Sequence, residues 1–464
     1  MEPKSNFFAH FSFPIFVYSV LSTFFLYKNL SGITVILFVG STIWLCRYAI
    51  KYENITPKKN RAIYEVLLLL LGISTVLTGN SFIIFFNYVF MFLLVLCLLL
   101  HHYYPDETWN FGTYFSSLIL SVMGAVSMIG IPYADWKAYH TEQKGRKNDV
   151  LPHILLGLLI SIPLLLIVLT LLASADIVFS HILSSVFSDI FHLPTLIGIT
   201  LLFVFFFLSS YCGLRYMNKR DLFSQETEQK KYSAVTAITM LLPITFAYLV
   251  FSVVQIIYLF MGKMALPADY TYATYAREGF FQLLAVSVIN VLLVVILQWL
   301  FRKHVLLQIL LTIVSACTYI MIASSALRML LYIQVYHLTF LRVLVLWTLA
   351  VLAFFLIGIL IQIYRPAFPL FRYGVLLFSV CYLLLSLSHV DYFIARYDLQ
   401  TVSDTGSPDY SYIVGLSTDA APALVGAEES IQRDFMYQHE NELTYHFRTF
   451  NLSHFMADRI LSDL

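Results

Sequence analysis

Long apolar runs recur along almost the whole of this chain, and no other feature limits its fold so severely. A helical membrane span needs roughly 20 consecutive apolar residues, and reading for such runs yields eleven: Phe11 to Tyr27, Gly32 to Ile50, Tyr64 to Thr78, Ser81 to Leu100, Leu151 to Ala173, Leu196 to Leu214, Ala234 to Met261, Phe280 to Phe301, Val305 to Leu327, Arg342 to Tyr364 and Phe371 to Val390. The third is short, with the least secure boundaries. Charged residues make up 12% of the chain, against about 25% in soluble domains. The 59% that is hydrophobic exceeds what a water-soluble core can hide, whereas a bilayer accepts it. The expected fold is all-α: a polytopic transmembrane helical bundle of about 11 spans, with lipid bilayer as its principal partner.

Charge sets the expected topology. A twelfth stretch, "FGTYFSSLILSVMGAVSMIGI", is diluted by serine and glycine. If it lies in the membrane surface and the N-terminus is cytoplasmic, nineteen of the twenty-four Lys and Arg before the tail fall inside. If it spans, the count becomes ten inside against fourteen outside, contrary to the positive-inside tendency. An N-in, C-out arrangement follows, with the first span retained because no cleavage site follows it convincingly. Four regions are expected: membrane helices over 1–110, a cytoplasmic interfacial helix and basic loop over 111–150, a core bundle over 151–390, and an extracytoplasmic tail over 391–464. That tail holds twelve acidic residues, four arginines and no lysine, so it carries −8 while the rest carries +9. Its scattered apolar residues predict short helices packed on the outer face, since so short a segment struggles to build a core alone.

Several chemistries find no support. All five cysteines lie in apolar runs at no metal or redox spacing. There is no H-E-x-x-H, P-loop or G-x-S-x-G. The short basic runs are explained by topology, so neither nucleic acid nor a cofactor or metal is expected. The pair His101 and His102, with Asp106 and Glu107 after it, reads as an exposed helix end, because adjacent helical residues point about 100° apart.

Polar groups remain. Gln255 lies in the seventh run and Gln282 and Asn290 in the eighth; such groups inside hydrocarbon must find partners or line a path. On the outer side, Tyr275, Arg277 and Glu278 precede the eighth run, while Arg328, Tyr332 and Arg342 sit around the connection after the ninth. Arg328 lies about 35 Å along an ideal helix from Val305, where snorkelling to the headgroups accounts for it. Together these six residues predict a polar collar roofed by the tail, able to take an anionic lipid or wall-precursor headgroup, or a protein partner at the tail. Asp176 and Asp391, at membrane boundaries, have no second acid fixed nearby and do not read as general bases.

The segments "VVQIIYLF", "YAREGFFQLLAVSVIN", "SSALRMLLYIQVYHLTFLR" and "LLASADIVF", with "DYFIARYDL", "LSTDAAPAL" and "FNLSHF" in the tail, resemble a family of bacterial multi-spanning membrane proteins of unknown function, the 4173 type, related to the 4153 type. The resemblance runs from about Leu151 onward and implies a location in the bacterial cytoplasmic membrane, but no activity. It assigns Tyr275, Ala276, Arg277, Gly279, Phe280, Asn290, Arg328, Tyr332, Leu338, Thr339 and Arg342 to motif positions. His337 stands where similar proteins often have glycine, which questions a tight turn there. Asp398 replaces a frequent asparagine, which questions any role for a neutral amide. The expected function is non-enzymatic binding at the outer face, in envelope sensing or assembly, with a transporter or lipid flippase and a membrane-embedded enzyme as alternatives.

Overall fold

A computed structural model describes residues 4–55, 58, 60–106, 109, 111–143, 193–219, 232–257, 272–405, 410–443 and 446–462, with scattered positions between 157 and 179. Helices dominate the described residues: α1 (Lys4–Leu26), α2 (Thr34–Tyr52), α3 (Arg61–Leu77), α4 (Ser81–Tyr103), α5 (Phe111–Ser127), α6 (Ile131–Gln143), α7 (Leu193–Lys219), α8 (Ala234–Gln255), α9 (Tyr272–Leu300), α10 (Val305–Tyr336), α11 (Phe340–Tyr364), α12 (Leu370–Leu387), α13 (Val390–Thr405), α14 (Tyr410–Val414), α15 (Glu429–Leu443) and α16 (Leu452–Ser462). Helix is the natural outcome of these apolar runs, because it satisfies every backbone group within its own segment. The ends are set by local chemistry. Asn80 caps α4 by accepting from the Ile83 amide at 3.1 Å, and His304 caps α10 through the Leu306 amide at 3.2 Å.

Among the described residues, nine helices are long and apolar enough to cross a membrane, so the chain is a polytopic helical bundle. The short third run becomes α3, of 17 residues, and the fifth lies largely outside the described residues. One helix runs well past its expected end. The helix expected over Val305 to Leu327 continues to Tyr336, 32 residues in all, because Leu330, Leu331 and Ile333 keep it helical beyond Arg328. α8 passes through Pro243 unbroken.

One core joins α1 to α4 with α7 through Phe11, Ile15, Val35, Leu68, Leu98 and Tyr211; a second joins α8 to α12 through Leu241, Val294, Val314 and Leu356. Phe13, Phe85, Phe205 and Phe246 stand outward from the bundle, as a lipid-facing surface requires. The bundle has two ends. The tail end gathers the α1–α2, α3–α4 and α10–α11 connections beneath α13 to α16. The opposite, basal end gathers the α2–α3, α4–α5, α9–α10 and α11–α12 connections. α5 begins at that end, with Phe111 against Phe371, and finishes with Gly124 against Tyr216 of α7. α6 then turns 57° away and pairs Asp135 with Arg215 at 3.1 Å, also near the end of α7.

Candidate functional site

The expected collar is only partly brought together. Arg342 lies over the Tyr332 ring, 4.5 Å from its centroid, a cation–π stack across the α10–α11 corner. Its Nη1 also donates to the Tyr336 carbonyl at 2.5 Å and to that of His337. These contacts hold the corner, so the guanidinium is engaged by its own chain. The corner itself is a tight turn in spite of histidine: His337 takes φ 64°, a left-handed conformation that favours glycine. The doubt raised by the missing glycine is thus answered by strain. Asp398 accepts from the Leu338 amide at 2.9 Å, a role that an asparagine carbonyl could fill as well.

Arg328 does not snorkel. It is 7% exposed, and its Nη1 packs on Gly279 so closely that a Cβ there would collide with it. The extension of α10 by two turns explains the difference, since it sinks Arg328 below the end of the helix. The side chains of Tyr275, Arg277 and Glu278 lie outside the described residues, although their backbone belongs to the first turns of α9.

The intramembrane polar residues mostly satisfy one another. Ser324 donates to Gln255 Oε1 at 2.7 Å. Asn290 accepts from Tyr248 at 2.7 Å and donates to Thr318 at 3.1 Å, so it joins α8, α9 and α10. Gln282, expected to find a partner or line a path within the eighth run, is exposed instead. Such bonds average about 0.6 kcal/mol each in membranes; their value is in fixing which helix faces meet.

A polar clamp at the tail end is the most extensive constellation. Asp391, 2% exposed, accepts through Oδ2 from Asn80 Nδ2 at 2.8 Å and from the hydroxyl and amide of Ser417 at 2.5 and 3.2 Å. Asp419 accepts from the Thr78 hydroxyl at 2.5 Å and the Gly79 amide at 2.9 Å, and lies 3.6 Å from His389 Nδ1. Burial pushes the Asp391 carboxyl above its ordinary range in spite of its hydrogen bonds. Burial acts likewise on Asp419, but His389, Ser453, Thr78 and the Gly79 amide outweigh it and hold that carboxyl low. Asn451 extends the clamp, donating towards the carbonyls of Ser31, Thr75 and Thr78. Serine, histidine and aspartate are all present, yet Ser417 donates to Asp391 while His389 faces Asp419. The hydroxyl therefore has no imidazole base, and the group does not form a nucleophilic triad.

Sequence reasoning also missed a buried hub at the basal end. His101, His102 and Asp106, expected to form an exposed helix end, are 2%, 3% and 1% exposed. Asp106 meets His101 Nδ1 at 2.8 Å, Lys58 at 3.1 Å and Arg372 at 2.9 Å, and accepts from Tyr114. Burial opposes ionisation here too, but His101 and Lys58 hold the Asp106 carboxyl below its usual range. The available signal was an acidic pair, Asp106 and Glu107, at an end whose other connections carry lysine and arginine. The clamp offered less, because Thr78, Gly79 and Asn80 look like an ordinary turn.

Comparison with known families gives one match: the family described as "Domain of unknown function (DUF4153)", over residues 66–427. This is the 4153 type; the 4173 type is not confirmed. No curated protein and no solved structure matches the chain.

Proposed function

The chain belongs to this family of unknown function, and from that premise we propose that it is a non-catalytic, multi-pass protein of the bacterial cytoplasmic membrane that holds its C-terminal segment outside as a platform for a protein partner, in envelope sensing or assembly. The clamp is the observation that carries this reading. Two buried carboxylates and Asn451 tie the tail to connections more than 300 positions earlier in the chain, far more than a trailing segment needs. On the platform, α15 buries Ile431, Phe435 and His439 and leaves Tyr437 82% exposed. Beside the α1–α2 connection, Phe447 is 86% exposed while Arg448 grips the carbonyls of Phe24 and Tyr27.

Charge supports the orientation: Lys58, Arg302, Lys303 and Arg372 belong to the basal end, which suits a cytoplasmic face. Engagement of Arg342 by its own backbone favours a partner at the tail over a headgroup in the collar. Transport receives less support, because Gln255 and Asn290 are bonded to neighbouring helices. An enzyme at the outer face receives less too, because Asp391 and Asp398 serve different connections.

Single cysteines at Thr274, Ser407 and Ser224, probed with an impermeant maleimide in intact cells, test the orientation; a photocrosslinker at Tyr437 tests the platform. Labelling at Thr274 and Ser407 only, and a discrete protein adduct at Tyr437 that Asp419→Ala abolishes, is the expected result. Labelling at Ser224 alone, or adducts to lipid only, ends the proposal.

A further inference from the structure

At the basal end a cavity of about 130 Å³ opens between the start of α5, the α9–α10 connection and the end of α11. Its wall has two characters. Phe111, Val295, Leu307, Leu311 and Ile363 contribute apolar lining, while Gln298, Arg302, Lys303 and His304 contribute polar and basic lining. Arg302, Lys303 and His304 are exposed, and neither Arg302 nor Lys303 has an ion-pair partner among the described residues. Five other basic residues of the same end are paired: Arg47 and Arg61 share Glu65, Lys58 and Arg372 share Asp106, and Arg215 takes Asp135. The Gln298 amide nitrogen is buried in this wall and lacks a hydrogen-bond partner. The cavity is also bounded by the first turn of α10, whose 32 residues direct a positive dipole end towards it.

Two cations without an ion-pair partner among the described residues, an idle amide donor and a helix N-terminus surround one cavity at the ends of membrane-length helices, a set suited to an anion. The apolar wall adds a second requirement, for a ligand with hydrocarbon attached. Basic pockets between membrane helices on the cytoplasmic side suit lipid phosphates. We infer that this cavity binds the phosphate of an anionic lipid from the leaflet at the basal end, with Arg302 and Lys303 on the phosphate and Phe111 and Leu307 against the first methylenes. The site lies at the opposite end from the tail platform and does not depend on it.

The test uses the full chain in nanodiscs of zwitterionic phosphatidylcholine, with short-chain phosphatidylglycerol, short-chain phosphatidylcholine and inorganic phosphate each titrated as the probe. Stabilisation by phosphatidylglycerol alone is expected. Arg302→Glu combined with Lys303→Glu should weaken its binding at least about tenfold, and Gln298→Leu should weaken it without any change in charge. Arg365→Glu makes the same kind of charge change on the neighbouring connection outside the cavity and should have little effect. Each variant's unfolding temperature without probe establishes that it has folded. Equal binding by inorganic phosphate would keep the anion site but assign it to free phosphate. Equal binding of the two lipids, or an equal loss per reversed charge in Arg365→Glu and the Arg302/Lys303 variant, would overturn the inference in favour of general surface attraction.

Discussion

Removing the Asp419 carboxylate is the sharpest test of the clamp. Asp419→Ala deletes the acceptor of the Thr78 hydroxyl and the Gly79 amide, both buried beneath the tail, and removes the anion facing His389. A buried donor left without an acceptor costs about 1–3 kcal/mol, so two of them, with limited access for water, set a loss of about 3–5 kcal/mol in tail docking. Asp391→Asn should behave differently. Its carboxyl is already pushed towards the neutral form by burial, and an amide oxygen can still accept from Asn80 and Ser417, so about 1 kcal/mol or less is expected. Hydrogen exchange of the full chain in nanodiscs reads the difference: amides of residues 418–424 and 452–462 should lose protection in Asp419→Ala and keep it in Asp391→Asn. The pH dependence follows from the same residues. The Asp419 carboxyl is held low, so its contribution is present above the ordinary carboxylate range near pH 4 and is lost as pH falls through the lower folded value. Equal protection in Asp419→Ala and wild type, or equal damage in the two variants, would refute this account of the clamp.

Three further outcomes are expected. His337→Gly should raise the unfolding temperature, since relief of a left-handed non-glycine residue, about 1–3 kcal/mol, exceeds the entropy that glycine costs, about 0.5–1 kcal/mol; a lower temperature would show that the corner is unstrained. Asp106→Ala should destabilise the basal end by about 3 kcal/mol, because Lys58, Arg372 and His101 lose their shared anion, seen as a fall in folded yield that Asp106→Glu partly restores. His389 is raised by its pairing with Asp419, against burial, so its stabilisation is full below about pH 6.5 and is lost as pH rises through its higher folded value; protection near residue 390 should fall as pH rises above about 6.5. Burial opposes protonation of His439, but Glu442 outweighs it and shifts that group in the same sense, while His454 is lowered mainly by burial. The comparison that isolates His389 is therefore wild type against His389→Gln.

The helices could be read from the chain because their signal is local: twenty apolar residues say the same thing wherever they sit. Even the mainly helical tail followed from its composition, and Ile413, Leu416, Leu424 and Phe435 are buried as its apolar face required. Pairings were a different matter. Asp391 finds Asn80 across 311 positions and Asp419 finds Thr78 across 341, and no periodicity records which connections come to the same end of a bundle. Arg328 was misplaced for a related reason: the length of α10 decides its depth, and that length depends on packing beyond the apolar run. His101 and His102 were read by helical angle alone, which cannot reveal that Asp106 folds back onto His101 and is met there by Arg372 of α12.

The clamp also orders events in biosynthesis. Asn29 donates to the Arg448 carbonyl and the Thr78 carbonyl accepts from Asn451, so the turn after the first helix and the turn after the third are completed by residues that a ribosome reaches more than 300 codons later. Until then, Asn29 keeps only its local partners Phe25, Gly32 and Thr34, and the Thr78 carbonyl lacks the Asn451 amide. Arrival of the segment from Phe447 to Ser462 supplies both missing partners in one docking step. A chain stopped short of it displays unfilled polar turns on one face, a mark by which proteases could tell unfinished copies from finished ones.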